Sequence, residues 1–194
     1  MFSNMDQKKI NNISTAFKDN ECDREMAKEL IKLDGKPEAI DYFRNNCERL
    51  SSYGYWFMLS SLYIKQSDFM AANLWRKFFS AKIPNKEISL MKPNEYKAFR
   101  NLPNKIKVYR AKVKDESDWL SYTTNFKVAQ KFAFKEKVDE ISVGIVKKRN
   151  VDALFLRRGE DELLILNKPS VKQKSIIKVM HVIGEKYENK EVEK

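Results

Sequence analysis

Residues 102–111 read Leu-Pro-Asn-Lys-Ile-Lys-Val-Tyr-Arg-Ala, and from Lys105 onward the residues alternate strictly. Ile106, Val108 and Arg110 fall on one face, while Lys105, Lys107 and Tyr109 fall on the other, which is the period of a half-buried strand. Everything before this stretch is written in a different period. At 22–33 the apolar set Met26, Ala27, Leu30, Ile31 and Leu33 recurs at helical spacing, and Asp34-Gly35-Lys36-Pro37 stops that helix and opens the next. Further helices are expected over 37–50, 55–65 and 68–80, the last with Asp68 as its N-cap. Residues 81–92 carry Pro84 and read as a crossing segment, before one more helix at 94–101.

After the alternating stretch the spacing predicts a second short strand at 119–123, a helix at 126–134, and strands at 140–147, 151–157, 160–166 and 175–184. A helical first part followed by a strand-rich second part defines an α+β protein with segregated elements. The expected division is a helical module over 1–92 and a β-rich domain over 93–194.

Composition sets the outer bounds. A chain of 194 residues with 42% hydrophobic and 12% aromatic residues can fill a core, and only 5 Gly and 5 Pro leave little low-complexity linker. Two cysteines, Cys22 and Cys47, are too few for a disulfide framework and too far apart for a chelating pair. The single histidine, His181, argues against a His-based triad or a His-rich zinc site, so no metal is expected and chemistry falls to carboxylates, hydroxyls, arginine or a borrowed cofactor. No apolar run approaches the roughly 18 residues of a membrane span, and the start MFSNMDQKKINN lacks a signal-like apolar core. A cytoplasmic protein without membrane contact is the expectation. The net charge of +11 draws such a chain toward polyanions, although a lysine-rich solvated surface has the same composition.

Three groups of polar residues stand on or beside the expected strands: Arg110, then Ser121-Tyr122-Thr123, then Glu160-Asp161-Glu162. On a strand, Ser121 and Thr123 share a face, and so do Glu160 and Glu162, with their Cα atoms roughly 7 Å apart. Two carboxylates so placed raise the proton affinity of at least one of them unless a cation or hydroxyls compensate. The apolar run Leu163–Leu166 places Glu162 at the border of a core, because such a run is covered on both faces. Trp75, Phe78 and Phe79, although interleaved with Arg76 and Lys77, have the helical spacing of core residues rather than of a nucleic-acid platform.

The blocks LPNKIKVYRA (102–111), LSYTTNFKVAQKFA (120–133) and DALFLRRGEDELLIL (152–166) together resemble the signature blocks of the arginine-serine-glutamate class of ADP-ribosyltransferases. They are most similar to small prophage-type proteins of that fold. The resemblance spans 99–184 and does not extend to 1–92. It implies a split β-sheet domain that takes NAD as substrate and transfers ADP-ribose to a macromolecule, a protein in preference to a nucleic acid although both stay open, in the manner of a phage-encoded modifier of host machinery or defence.

The resemblance also implies roles. Glu162 would stabilise the oxocarbenium-like state at the nicotinamide ribose and hold a ribose hydroxyl. Glu160 would orient or deprotonate the acceptor nucleophile. Arg110 would pair with a phosphate or ribose oxygen of NAD. Ser121 would hydrogen-bond Glu162, with Thr123 supporting the same face. The Ala111 backbone would meet the nicotinamide amide, and Phe132, Phe134 or Trp119 would stack on its ring. Ala111 stands where the prophage-type proteins have glycine, and Tyr122 where they have tryptophan. Two other functions remain open at this point: an NAD glycohydrolase, and a non-catalytic basic module that binds nucleic acid or a partner protein.

Overall fold

The computed structural model describes residues 13–179 and the backbone of 189–192. The expected strand beyond residue 179, with His181, and most of the tail from Tyr187 lie outside the described residues. The chain forms two compact units that divide between Arg100 and Asn101. The order of elements is helices first and a sheet second, as the change of period at 102–111 implies.

The first unit contains α1 (Glu21–Lys32), α2 (Glu38–Asn46), α3 (Ser52–Gln66), α4 (Ala72–Phe79), α5 (Lys86–Leu90) and α6 (Pro93–Arg100). Asn20 caps α1 by accepting from the Asp23 N–H at 3.1 Å. Asp23 in turn accepts from the Ser51 N–H at 2.9 Å and from the Ser51 hydroxyl, setting a buried carboxylate at the N-terminus of α3, where the helix dipole favours negative charge. Gly54 makes room for this contact: a Cβ there would overlap the Asp23 carboxylate. Trp56, Trp75, Phe43, Phe79 and Leu59 are fully buried. Both indoles donate to backbone, Trp56 to the Pro84 carbonyl at 3.1 Å and Trp75 to the Ser67 carbonyl at 3.0 Å. The aromatic run of α4 is therefore core, with Phe78 set edge-on to Phe43 at 5.8 Å.

Several boundaries differ from the sequence expectation. The helix expected over 37–50 ends at Asn46 and passes into a 3-10 turn at Cys47–Arg49. Asp68 caps nothing on α4: residues Ser67–Phe69 form their own 3-10 turn, and Ala71 occupies the N-cap with no side-chain bond. The 81–92 segment contains the short helix α5, entered through Asn85 in the left-handed region at φ 59°.

Among the described residues the second unit is an antiparallel sheet with one α-helix. Its strands are β1 (Lys105–Ala111), β2 (Ser121–Thr123), β3 (Glu140–Lys147), β4 (Ala153–Phe155), β5 (Glu162–Leu164), β6 (Lys172–Val179) and β7 (Asn189–Val192), in the order β4-β5-β2-β1-β3-β6-β7. Helix α7 (Phe126–Lys135) lies on one face, where Ala129 and Ala133 pack with Ala111, Ile141, Val143, Ile177 and Val179. Leu163, Leu164 and Ile165 are all fully buried. The strand expected over 160–166 pairs only at Glu162–Leu164, because Gly159 (φ 69°) and Asp161 (φ 45°) put a turn where the alternation had been extended.

Candidate active site

The ladder positions the site. Thr123 on β2 stands opposite Tyr109 of β1 on one side and opposite Glu162 of β5 on the other. Phe155 of β4 completes the row beyond Glu162. Directly opposed residues of an antiparallel sheet share a face, so Tyr109, Thr123, Glu162 and Phe155 project together. Ser121 is opposite Leu164 and is thus the diagonal neighbour of Glu162, roughly 7–8 Å away between backbones. Thr123, rather than Ser121, is the hydroxyl residue in direct register with the carboxylate.

The turn ahead of β5 is stitched to the end of β2. The Thr123 hydroxyl donates to the Glu160 carbonyl at 2.6 Å and accepts from the Asn125 N–H at 3.0 Å. The Thr124 N–H reaches the Asp161 carbonyl at 3.2 Å, and the Asn125 side-chain amide reaches the Asp161 carboxylate at 3.4 Å. Asn125 also caps α7 by accepting from the Lys127 N–H at 3.0 Å. These bonds hold Asp161 in its left-handed conformation, a strained state for a non-glycine residue that the surroundings must over-determine.

Glu160 and Glu162 do come together, though not through strand alternation. Arg158 Nη2 lies 2.8 Å from Glu160 Oε2 and 3.5 Å from Glu162 Oε2, so one guanidinium bridges both carboxylates. The Glu162 side chain is 7% exposed against 25% for Glu160 and 41% for Arg158. The pair therefore has a buried member, an accessible member and a cation that offsets their repulsion from the solvent side. The sequence reading of the site did not include Arg158. Its signal was the spacing, two and four residues ahead of the glutamates, which only the turn at Gly159 converts into proximity.

Arg110 forms a second cluster. Tyr109 and Ala111 face α7, so alternation sends Arg110 to the other face of β1 from the Thr123–Glu162 row. Its guanidinium donates to the Ser121 carbonyl at 2.8 Å, pairs with Glu116 at 2.5 Å and lies 5.1 Å from the Trp119 ring centroid. The Lys168 ammonium stands 3.5 Å from the centroid of the same ring. Arg110 Nε is buried without a hydrogen-bond partner among the described residues. Burial also pushes the Tyr122 phenol above its ordinary value, with the Arg110 charge acting the other way. Glu116 was absent from the sequence reading, since nothing in the 112–120 segment marks one acid over another.

Two further residues take their places separately. Ala111 is buried beside Ala129 and Ala133, and its carbonyl already accepts from the Val113 N–H at 3.2 Å. Phe132 is exposed on α7, 6.0 Å from the Lys135 ammonium. Among the described residues no group of three or more His, Cys, Asp or Glu is placed to hold a metal ion, and no helix is long and apolar enough to cross a membrane. Comparison of the chain with models of protein families, with curated proteins and with solved structures finds no match.

Proposed function

We propose that the second unit cleaves NAD at the nicotinamide ribose and transfers ADP-ribose to a macromolecular acceptor. The observation that supports this most is the carboxylate pair. A buried Glu162, in register with Thr123 and beside a more accessible Glu160, provides one carboxylate to face developing positive charge and another to meet an incoming nucleophile. Cleavage of the glycosidic bond leaves an oxocarbenium-like ribose, which the Glu162 carboxylate stabilises, and the leaving nicotinamide takes the bonding electrons. The acceptor then forms the new bond to the anomeric carbon and gives up its proton to Glu160.

For Arg110 this reading entails a supporting place rather than a contact with NAD. It lies on the sheet face opposite the Thr123–Glu162 row, where its bond to the Ser121 carbonyl holds β2 in place and its ion pair with Glu116 fixes the guanidinium. Ser121, diagonal to Glu162, approaches the ribose rather than the carboxylate.

The test is incubation of the purified protein with labelled NAD and a bacterial lysate, with the Glu162→Gln variant in parallel. Label on a discrete protease- or nuclease-sensitive species, absent with the variant, is the expected result. Neither label transfer nor nicotinamide release from the wild-type protein would sink the proposal.

A further inference from the structure

On the sheet face that α7 covers farther along, the strands run out into an uncovered group of lysines. Lys105 stands directly opposite Lys147, and Lys107 stands opposite Ile145, which is itself opposite Lys172. Four lysines from three adjacent strands thus share one face around a half-buried isoleucine, and all four are exposed. The opposite face at the same positions, Ile106, Val108 and Val146, is buried, so the alternation between faces is complete.

Among the described residues no carboxylate pairs with any of the four; Lys107 has only the Tyr109 ring, 5.5 Å from its ammonium. Like charges placed directly across a ladder destabilise it, as Lys105 and Lys147 do here. Two other lysines of the same unit do have acids beside them: Lys112 with Glu140 at 2.8 Å, and Lys135 with Glu136 at 3.6 Å. The backbone positions that carry them are spaced by roughly 7 Å along a strand and roughly 5 Å between adjacent strands, with Lys107 and Lys172 two strands apart across Ile145.

We propose that this face binds the phosphate backbone of a nucleic acid. Point charges on flexible stems, with no arginine fork and no pocket for a side chain, suit sequence-independent neutralisation of closely spaced phosphates. A membrane surface would call for apolar side chains that insert, and beside the lysines the face offers only the half-buried Ile145 and the half-buried Tyr109, whose ring packs edge-on against Phe126. An acidic polypeptide segment would add along a strand edge, whereas these lysines project from the face of paired strands. The proposal goes beyond the transferase reading and does not depend on it, because none of the four lysines belongs to the carboxylate site.

The experiment is fluorescence anisotropy of the full chain with a labelled single-stranded oligonucleotide over a salt series. If all four lysines contact phosphates, they contribute a slope of about 2.8 in log affinity against log salt, or an affinity loss of about 50-fold between about 50 and 200 mM salt. The variant Lys105→Gln/Lys107→Gln/Lys147→Gln/Lys172→Gln is expected to lose most of that dependence and at least about 10-fold in affinity at the lower salt. A control with four exposed lysines of the first unit replaced, Lys28→Gln/Lys36→Gln/Lys77→Gln/Lys82→Gln, removes the same charge and is expected to keep most of the binding. Equal loss in both variants, or no salt-dependent binding by the wild-type chain, overturns the proposal. So does binding of polyglutamate or of phosphatidylserine vesicles as tight as that of the oligonucleotide at matched salt. Circular dichroism checks that each variant folds, and a single Lys107→Gln substitution serves if the fourfold variant does not. Loss of oligonucleotide binding with NAD cleavage intact, or the reverse, separates this proposal from the transferase reading.

Discussion

Thr123 and Glu162 are direct partners across the β2–β5 ladder, and the Thr123 hydroxyl donates 2.6 Å to the carbonyl of Glu160, two residues ahead of Glu162. One threonine therefore sets the position of both glutamates: one through register, the other through a bond to its backbone.

Replacing Thr123 with valine keeps the shape and removes the hydroxyl. The Asn125 N–H and the Glu160 carbonyl then lose a partner at a buried position, which costs about 1–3 kcal/mol. Urea denaturation should show the loss, and Thr123→Ser should recover most of it. A valine variant as stable as the wild type would mean that water satisfies both groups.

Glu162→Gln should separate stability from activity. Removing a buried charge held by a largely exposed guanidinium leaves stability within about 1 kcal/mol, while loss of the carboxylate should lower NAD cleavage by about 100-fold or more. Thermal unfolding and a nicotinamide-release assay measure the two effects. Wild-type turnover in this variant would remove Glu162 from its proposed role.

The ion pair of Arg110 with Glu116 is partly exposed on both sides, so Glu116→Gln should cost under about 1 kcal/mol. Because the pair lies on the sheet face opposite the Thr123–Glu162 row, the same change should leave NAD affinity unchanged in calorimetric titration. Tighter binding would mean that Arg110 reaches an NAD phosphate.

Burial pushes the Tyr55 phenol well above its ordinary value, and its hydroxyl donates to the Phe78 carbonyl at 3.0 Å. A group with a raised folded-state value contributes its stability in full below the unfolded-state value, about 10, and loses it as pH rises beyond that point. Stability measured in urea should therefore fall above about pH 10, and Tyr55→Phe should fall less steeply over the same range. Parallel pH profiles for the two proteins would contradict the assignment.

In the helical unit, Gly54→Ala places a methyl group against the Asp23 carboxylate, which caps the N-terminus of α3. Overpacking of this kind costs about 1–3 kcal/mol. An alanine variant of wild-type stability would show that the Asp23 side chain yields easily.

Much of the fold was legible because it rests on local periodicity. The alternation at 105–111, the helical stripe at 22–33 and the apolar run 163–166 each report burial that neighbours in sequence already share. The ends of elements were less legible. Asp68 has the chemistry of a cap but lies in a 3-10 turn, since Trp75 donates to the Ser67 carbonyl and holds that link in another shape. The strand drawn over 160–166 ignored Asp161, whose positive φ is sustained by bonds from residues 124 and 125, remote in sequence.

The candidate site divides along the same line. Residue types and their order along the chain, Arg110, Ser121 to Thr123 and Glu160 to Glu162, are properties of the sequence, as is the burial imposed on Glu162 by the leucines that follow it. Register is not local: a one-residue slip between β2 and β5 would have set Tyr122 rather than Thr123 opposite Glu162, and nothing in either strand alone distinguishes the two. Tertiary structure alone decided that Thr123 faces Glu162, that Arg158 bridges the two glutamates, that Arg110 turns to Glu116 and the Ser121 carbonyl, and that four lysines gather on one face. Each of those outcomes depends on which strands pair, and pairing is settled by the packing of the whole sheet.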